Sequence, residues 1–148
     1  VEELERALAQ VFPSAMPGKI KIFRDYVAHY PLLLMQRGHR SEIFVVVLQD
    51  ARDALGEKGS LFIEANCRRD YSIEITLRDN GPGIPPDKIE RIFEAYYSTK
   101  EKGTGLGLAI VRYNLELYGG KIQVDSGVGI GTQFVVIFPA KIIMNLRK

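Results

Sequence analysis

Apolar positions along this chain repeat in two periods, and each period predicts its own elements. Over residues 2–12, Leu4, Ala7, Leu8 and Val11 recur at helical spacing and predict an amphipathic helix. "PSAMPGK" breaks it. "KIKIFRDY" alternates as a strand does, and "PLLLMQ" is a short apolar run. In "IFVVVLQDARDAL" (43–55), Ile43, Val46, Val47, Ala51 and Ala54 form one stripe. That spacing predicts a helix over 41–55, with Ser41 as N-cap and Gly56 and Gly59 as the stop. "LFIEANCRR" and "YSIEITLRD" read as a hairpin turning at "RD". Residues 79–105 are loop-rich, with a short helix over 87–93 capped by Asp87. A further helix spans 105–118, with Leu106, Ala109, Ile110, Tyr113 and Leu117 on one face. "GGKIQVDSG" and "GTQFVVIFP" form a second hairpin-like pair. Strands and helices mix without strict alternation, which predicts a layered sandwich of α+β type with a mixed sheet.

Composition narrows the class. The 148 residues, 46% hydrophobic and 26% charged, suit one domain with one core. A net charge of +2 without any basic block gives no reason to expect nucleic acid as a partner. No apolar run approaches the ~20 residues of a membrane span, and "VEELERALAQ" is no signal peptide. Val1 in place of an initiating Met suggests a segment of a longer chain. The single Cys67 rules out a disulfide within the chain and is expected to be a small buried apolar residue.

Three stretches carry chemistry. One residue of the 43–55 stripe is out of character: Asp50 falls three after Val47 and four after Val46. A carboxylate facing a core needs a partner, because unpaired burial costs several kcal/mol, on the order of the loss of a charged hydrogen bond or more. "DNGPGI" (79–84) leaves a strand directly. Gly81 and Gly83 allow a tight turn and a close approach to a ligand, and Asp79 can accept from a buried donor such as a base amino group. The same hexapeptide also suits a plain Asx turn. "GTGLGL" (103–108) opens a helix, where free N–H groups can cradle phosphates, and "STKEKG" just upstream adds hydroxyls and ammonium groups. A Gly-rich helix entry and a solvated lysine loop are the plain alternatives. Neither the dinucleotide fingerprint nor a G-x-x-x-x-G-K-S/T loop is present.

In order and spacing, "QDARDAL", "DNGPGI", "IFEAYYSTK", "GTGLGLAIV" and "GGKIQVDSGVGIGTQFVVIFP" together closely resemble the ATP-binding catalytic domain of sensor histidine kinases, across essentially the whole chain. The resemblance implies the Bergerat fold shared with gyrase, HSP90 chaperones and the mismatch-repair protein MutL: a two-layer sandwich of a mixed sheet on about three helices, with a loop-rich ATP lid. It covers residues 1–148 as a single domain. It also implies roles. Asp79 would hold the adenine amino group, with Gly81, Gly83 and Ile84 beside the base and Thr132 near it. Phe93 would stand before a compact lid, and Thr99 and Lys100 near the phosphates. Gly103, Thr104, Gly105 and Gly107 would line the phosphates, with Leu106 and Leu108 anchoring the far end of the lid.

Two positions depart from the family's N-x-x-x-N-A helix. Val46 stands at its first Asn and Asp50 at the second, the Mg²⁺ ligand. On the resemblance, the partner of Asp50 would be a metal ion on the triphosphate; a salt bridge to Arg52 or another arginine is the alternative. Val46 cannot activate water, which disfavours hydrolysis more than phosphoryl transfer. His29 and His39 do not fit the family's acceptor pattern. The expected activity is that of a protein-histidine kinase domain that binds Mg-ATP, with Asp50 and Lys100 as candidate catalytic residues. It would donate the γ-phosphoryl to a histidine on a separate dimerisation domain, and not autophosphorylate alone. Expected partners are that dimerisation domain, a response regulator and, for a full-length chain, a second copy, in a cytoplasmic setting without membrane contact by this segment; whether the whole sensor is membrane-anchored is left open by the sequence. A degenerate nucleotide-sensing or partner-docking module is the alternative. The tail "KIIMNLRK" is assigned no role.

Overall fold

The computed structural model describes residues 2–13, 19–27, 35–56, 58–97 and 106–139. In chain order the elements are α1 (Glu2–Val11), β1 (Lys19–Tyr26), α2 (Arg37–Leu55), β2 (Lys58–Cys67), β3 (Ile73–Asp79), α3 (Pro86–Ile89), α4 (Gly107–Leu117), β4 (Lys121–Gly127) and β5 (Gly131–Phe138). The five strands form one mixed sheet in the order β1-β2-β3-β5-β4. β1 runs parallel to β2, and the other neighbours are antiparallel. The result is the α+β sandwich of a mixed sheet with helices packed on it.

Register explains the core. Cross-strand partners share a face, so the pairing builds rows. One row is Ile63, Leu77, Phe134 and Val124; the next is Ala65, Ile75, Val136 and Ile122. All but Val124 are buried, on the one face that α2 and α4 cover, with α1 packed against α2. The opposite face carries Phe23 stacked on Phe62 at 4.9 Å, with the Arg78 guanidinium over the Phe62 ring. α1 buries the predicted Leu4, Ala7, Leu8 and Val11. Its polar side is tied down by ion pairs: Glu5 accepts from Arg24 Nε at 2.9 Å and from Tyr26 Oη at 2.6 Å. Glu3 pairs with the Arg40 guanidinium through Nε at 2.8 Å and Nη2 at 2.7 Å.

Several boundaries differ from the sequence expectation. α2 starts at Arg37, so Ser41 lies inside it and Gln36 occupies the N-cap with extended backbone and no side-chain cap. Arg40 ties this start of the helix to Glu3 and to the Met35 carbonyl, contacts that local pattern does not display. Asp87 is likewise not a cap. α3 is a single turn with Pro86 at its start, where a missing N–H is no loss, and the chain continues in turns to Tyr97. The β2–β3 connection takes five residues, 68–72, because Tyr71 adopts φ 66° and Asp70 Oδ1 accepts the Ser72 N–H. Cys67 is exposed, as the last residue of β2 at the sheet's end. On α4 the expected apolar face is the outer one: Val111 and Leu115 are buried, whereas Ile110, Tyr113 and Leu117 are exposed. α4 is apolar on both sides, so its period alone cannot choose which side meets the sheet.

Phe138 is fully buried and meets Phe44 of α2 edge-to-face at 5.5 Å. Phe138→Ala is expected to cost about 3–5 kcal/mol in urea unfolding. A double-mutant cycle with Phe44→Ala should show coupling of about 0.5–1.5 kcal/mol; additive losses would mean the ring pair contributes only burial.

Candidate functional site

One row of the sheet breaks the apolar pattern. Leu61 of β2 pairs with Asp79 of β3, Asp79 with Thr132 of β5, and Thr132 with Ser126 of β4. The shared face therefore carries a carboxylate and two hydroxyls side by side, at the same edge of the core where both hairpin-forming strands end. Asp79 is 3% exposed and Thr132 5% exposed. Asp79 Oδ1 accepts the Gly81 N–H at 2.9 Å, the Asx geometry that starts the 79–84 loop.

That loop is fixed from three sides. Asn80 Oδ1 accepts the Ser60 N–H at 2.8 Å. The Pro82 carbonyl accepts the Gly129 N–H at 2.8 Å, and the Ile84 N–H donates to Ser126 Oγ at 2.8 Å. Gly83 has φ 82°, and a methyl group there would stand 2.2 Å from the Gly127 carbonyl oxygen. Only glycine brings the loop this close to the β4–β5 turn.

α2 forms the opposite wall, and its two adjacent rows divide the labour. Ile43, Val47 and Ala51 are buried in the core, while Val46, Asp50 and Ala54 lie one row over and are half-buried. The stripe read from sequence thus has an edge, and Asp50 is on it. A methyl on Gly81 would meet the Ala54 carbonyl oxygen at 2.9 Å, so this row runs directly over the loop. At its other end a methyl on Gly107 would come within 3.1 Å of Val46 Cγ1. Val46 therefore packs on the first residue of α4. Leu106 takes the N-cap position of α4 without a side-chain cap, and the first turn holds no acidic residue. Such a helix start suits an anion, through its N–H groups and dipole. Leu108 and Phe93 pack partly against the core, and the Arg112 guanidinium of α4 lies 5.4 Å from the Phe93 ring centre.

Of the residues singled out from sequence, Asp50, Asp79, Gly81, Gly83, Ile84, Phe93, Leu106, Gly107, Leu108 and Thr132 lie within this framework. Thr99, Lys100, Gly103, Thr104 and Gly105 fall outside the described residues, as do His29 and the 141–148 tail. Arg52, considered as a partner for Asp50, turns Nη1 to the Val11 carbonyl at 2.9 Å. Asp50 itself is engaged within the fold. Sequence reasoning missed Ser126; the register of a tight hairpin between "VDS" and "GTQ" places it opposite Thr132.

Burial pushes the Asp79 carboxyl above its ordinary value, and the Asp50 charge pushes the same way; the Gly81 and Thr132 backbone N–H groups act against both. A carboxyl with a raised folded-state pKa adds stability that is present below its unfolded pKa and lost as pH rises through the folded pKa. Asp79→Asn, which carries no charge, is therefore expected to melt at or above the wild-type temperature at neutral pH. That advantage should shrink as pH falls toward about 4. Thermal melts across this range check it; a variant that is less stable at neutral pH would show that the ionised form is held favourably.

Three kinds of comparison bear on this geometry. Residues 39–142 match the family described as histidine kinase-, DNA gyrase B-, and HSP90-like ATPase. Sporulation kinase E of Bacillus subtilis (strain 168) is 31% identical over 124 residues, which cover 84% of this chain and 17% of the relative. The sensor histidine kinase ZraS of Salmonella typhimurium is 38% identical over 99 residues, 67% of this chain and 21% of the relative. The chain spans about a fifth of the length of these curated relatives. Among solved structures, the catalytic domain of histidine kinase ThkA superposes with a TM-score of 0.80 at 25% identity, covering 93% of this chain and 90% of that one. Full-length ShkA in complex with AMPPNP gives a TM-score of 0.80 at 29% identity over 93% of this chain and 29% of that one. The polar row, the glycine-bound loop and the helix start are thus carried on a shared scaffold, and this chain belongs to the family of histidine kinase-, DNA gyrase B- and HSP90-like ATPases, with the Bergerat fold of histidine kinase catalytic domains.

Proposed function

We propose that this domain binds Mg-ATP and donates its γ-phosphoryl group to a histidine on a separate dimerisation domain, as the catalytic part of a two-component sensor kinase. The observation that carries the reading is the Asp79 carboxylate, desolvated at the end of an otherwise apolar face and facing α2. A carboxylate held this way is matched by a ligand that brings hydrogen-bond donors, and the adenine amino group does so. Gly81, Gly83 and Ile84 supply a close, rigid loop beside the base, with Thr132 next to Asp79. The start of α4 at Leu106, Gly107 and Leu108 faces the triphosphate. The sequence resemblance assigns Thr99, Lys100, Gly103, Thr104 and Gly105, which lie outside the described residues, to the same phosphates, and Phe93 to the segment before them.

The residues present fit a magnesium ion. Asp50 is an oxygen donor one helical turn from Val46, close enough to Asp79 to raise its pKa. Among the described residues no three His, Cys, Asp or Glu side chains converge on a metal. Magnesium is held by one or two carboxylates together with phosphates and water, so a single Asp50 suffices. The ion would neutralise charge on the transferring phosphoryl group. In the transfer a histidine nitrogen of the partner domain bonds to the γ-phosphorus as the bond to the β-phosphate oxygen breaks, and Lys100 would offset charge beside it. An aspartate of a response regulator would then receive the phosphoryl group, within a homodimeric, cytoplasmic assembly. Among the described residues no helix is long and apolar enough to cross a membrane.

Val46 favours a second reading. An apolar side chain seated on Gly107 offers neither a base nor a metal ligand, as in a domain that senses nucleotide without transferring phosphate. Incubation with γ-labelled ATP and an isolated dimerisation domain separates the two: label on histidine supports the kinase, and nucleotide binding without label supports the sensor.

Asp79→Asn is expected to cut ATP affinity at least about tenfold in calorimetry, since a charged hydrogen bond contributes ~1.5–3 kcal/mol; wild-type affinity in the variant removes Asp79 from the base pocket. With Asp50 as the metal ligand, ATP binds weakly in chelator and better with Mg²⁺. Asp50→Asn should narrow that gap, chiefly by improving metal-free affinity, because a charge pair at an effective dielectric near 20 is worth up to about 4 kcal/mol. An unchanged gap with a lowered Tm would make Asp50 a structural ion-pair member instead.

A further inference from the structure

Resting on the reading that the pocket takes a purine nucleotide, we propose that Ser126 is a specificity-determining residue that fixes the hydrogen-bond polarity of the base pocket. A hydroxyl has one proton to donate and two lone pairs that accept. The Ser126 proton goes to the Gly131 carbonyl at 2.9 Å, since a carbonyl can only accept. One lone pair takes the Ile84 N–H at 2.8 Å. The remaining lone pair faces Thr132 Oγ1 at 2.9 Å, so the Thr132 proton must be the one donated there. Ser126 is then saturated, and Thr132 has spent its only proton.

The consequence reaches the ligand through the register. Thr132 stands between Ser126 and Asp79 in the same cross-strand row. With its proton turned toward Ser126, Thr132 shows the neighbourhood of Asp79 only lone pairs. An ionised Asp79 likewise only accepts. The two side chains thus form a floor of acceptors, which matches a six-position amino group with its two hydrogens and opposes a six-position carbonyl. A single serine hydroxyl, not itself against the base, makes a threonine that could donate behave as an acceptor. The same hydroxyl holds the Ile84 backbone, so polarity and loop position are set by one group.

The test compares three ligands that differ at the six position: ATP, purine riboside triphosphate, which lacks the amino group, and inosine triphosphate, which has a carbonyl. Each is titrated into wild type, Ser126→Ala and Ser126→Thr. Wild type should bind ATP best and inosine triphosphate worst, by at least about tenfold. In Ser126→Ala the Thr132 proton is released and can turn to the inosine carbonyl, so the preference for ATP over inosine triphosphate should fall several-fold, on the order of a lost hydrogen bond. Ser126→Thr keeps the hydroxyl and should keep the wild-type preference. Equal weakening of all three ligands in Ser126→Ala, with the preference intact, overturns the proposal and leaves Ser126 a loop support. If Ser126→Ala fails to fold, the wild-type order and Ser126→Thr decide: inosine triphosphate bound as well as ATP by wild type, or a lost preference in Ser126→Thr, overturns it. Wild type that binds none of the three overturns the nucleotide reading itself.

Discussion

Burial of the Asp79 carboxylate is the constraint around which the site is built. At the end of β3 it is withdrawn from water almost as completely as its apolar neighbours, and the nearby Asp50 charge adds to the cost. Backbone N–H groups of Gly81 and Thr132 offset part of that cost, and both require their loop and strand to be placed to within a few tenths of an ångström. The tight packing of the surrounding glycines follows. Gly83 lies against the Gly127 carbonyl because the 79–84 loop must turn under the β4–β5 hairpin to deliver the Gly81 N–H.

The second organising feature is the division of α2 into a core row and a site row. Ile43, Val47 and Ala51 anchor the helix to the sheet, which sets the direction in which Val46, Asp50 and Ala54 project. That row spans from the start of α4 at one end to the 79–84 loop at the other, through Val46 on Gly107 and the Ala54 carbonyl over Gly81. A change in the core row would therefore be felt at the site as a shift of the whole wall. The Arg112–Phe93 contact ties α4 to the segment after α3 in the same way.

Much of this was legible in the amino-acid order. Alternation in "KIKIFRDY" and two hairpin-like pairs marked all five strands, and Leu4, Ala7, Leu8 and Val11 marked the buried side of α1, because burial on one face leaves a periodic trace. Asp79, Gly81 and Gly83 suited a plain Asx turn as well as a ligand loop, and stood out only through their order and spacing with the other motifs. Asp50 stood out because it interrupted an apolar stripe. Only the folded chain showed that the stripe has an edge, since a helical wheel cannot say which of two adjacent rows meets a sheet. α4 was misassigned for the same reason: apolar on both sides, it presents Ile110, Tyr113 and Leu117 outward because Val111 and Leu115 are the ones that reach the core. The first turn of α2 is tied through Arg40 to Glu3, distant in sequence. Ser126 is the sharpest case. Its residue type and its strand were plain from the sequence, but its role arises from register, which places it beside Thr132 and two residues' remove from Asp79 across the sheet. Local pattern determined which segments fold as helix or strand and which carboxylates were out of place; the pairing of strands far apart in the chain decided which polar groups share a face, because a hydrogen bond is fixed by distance in space and leaves no period in sequence.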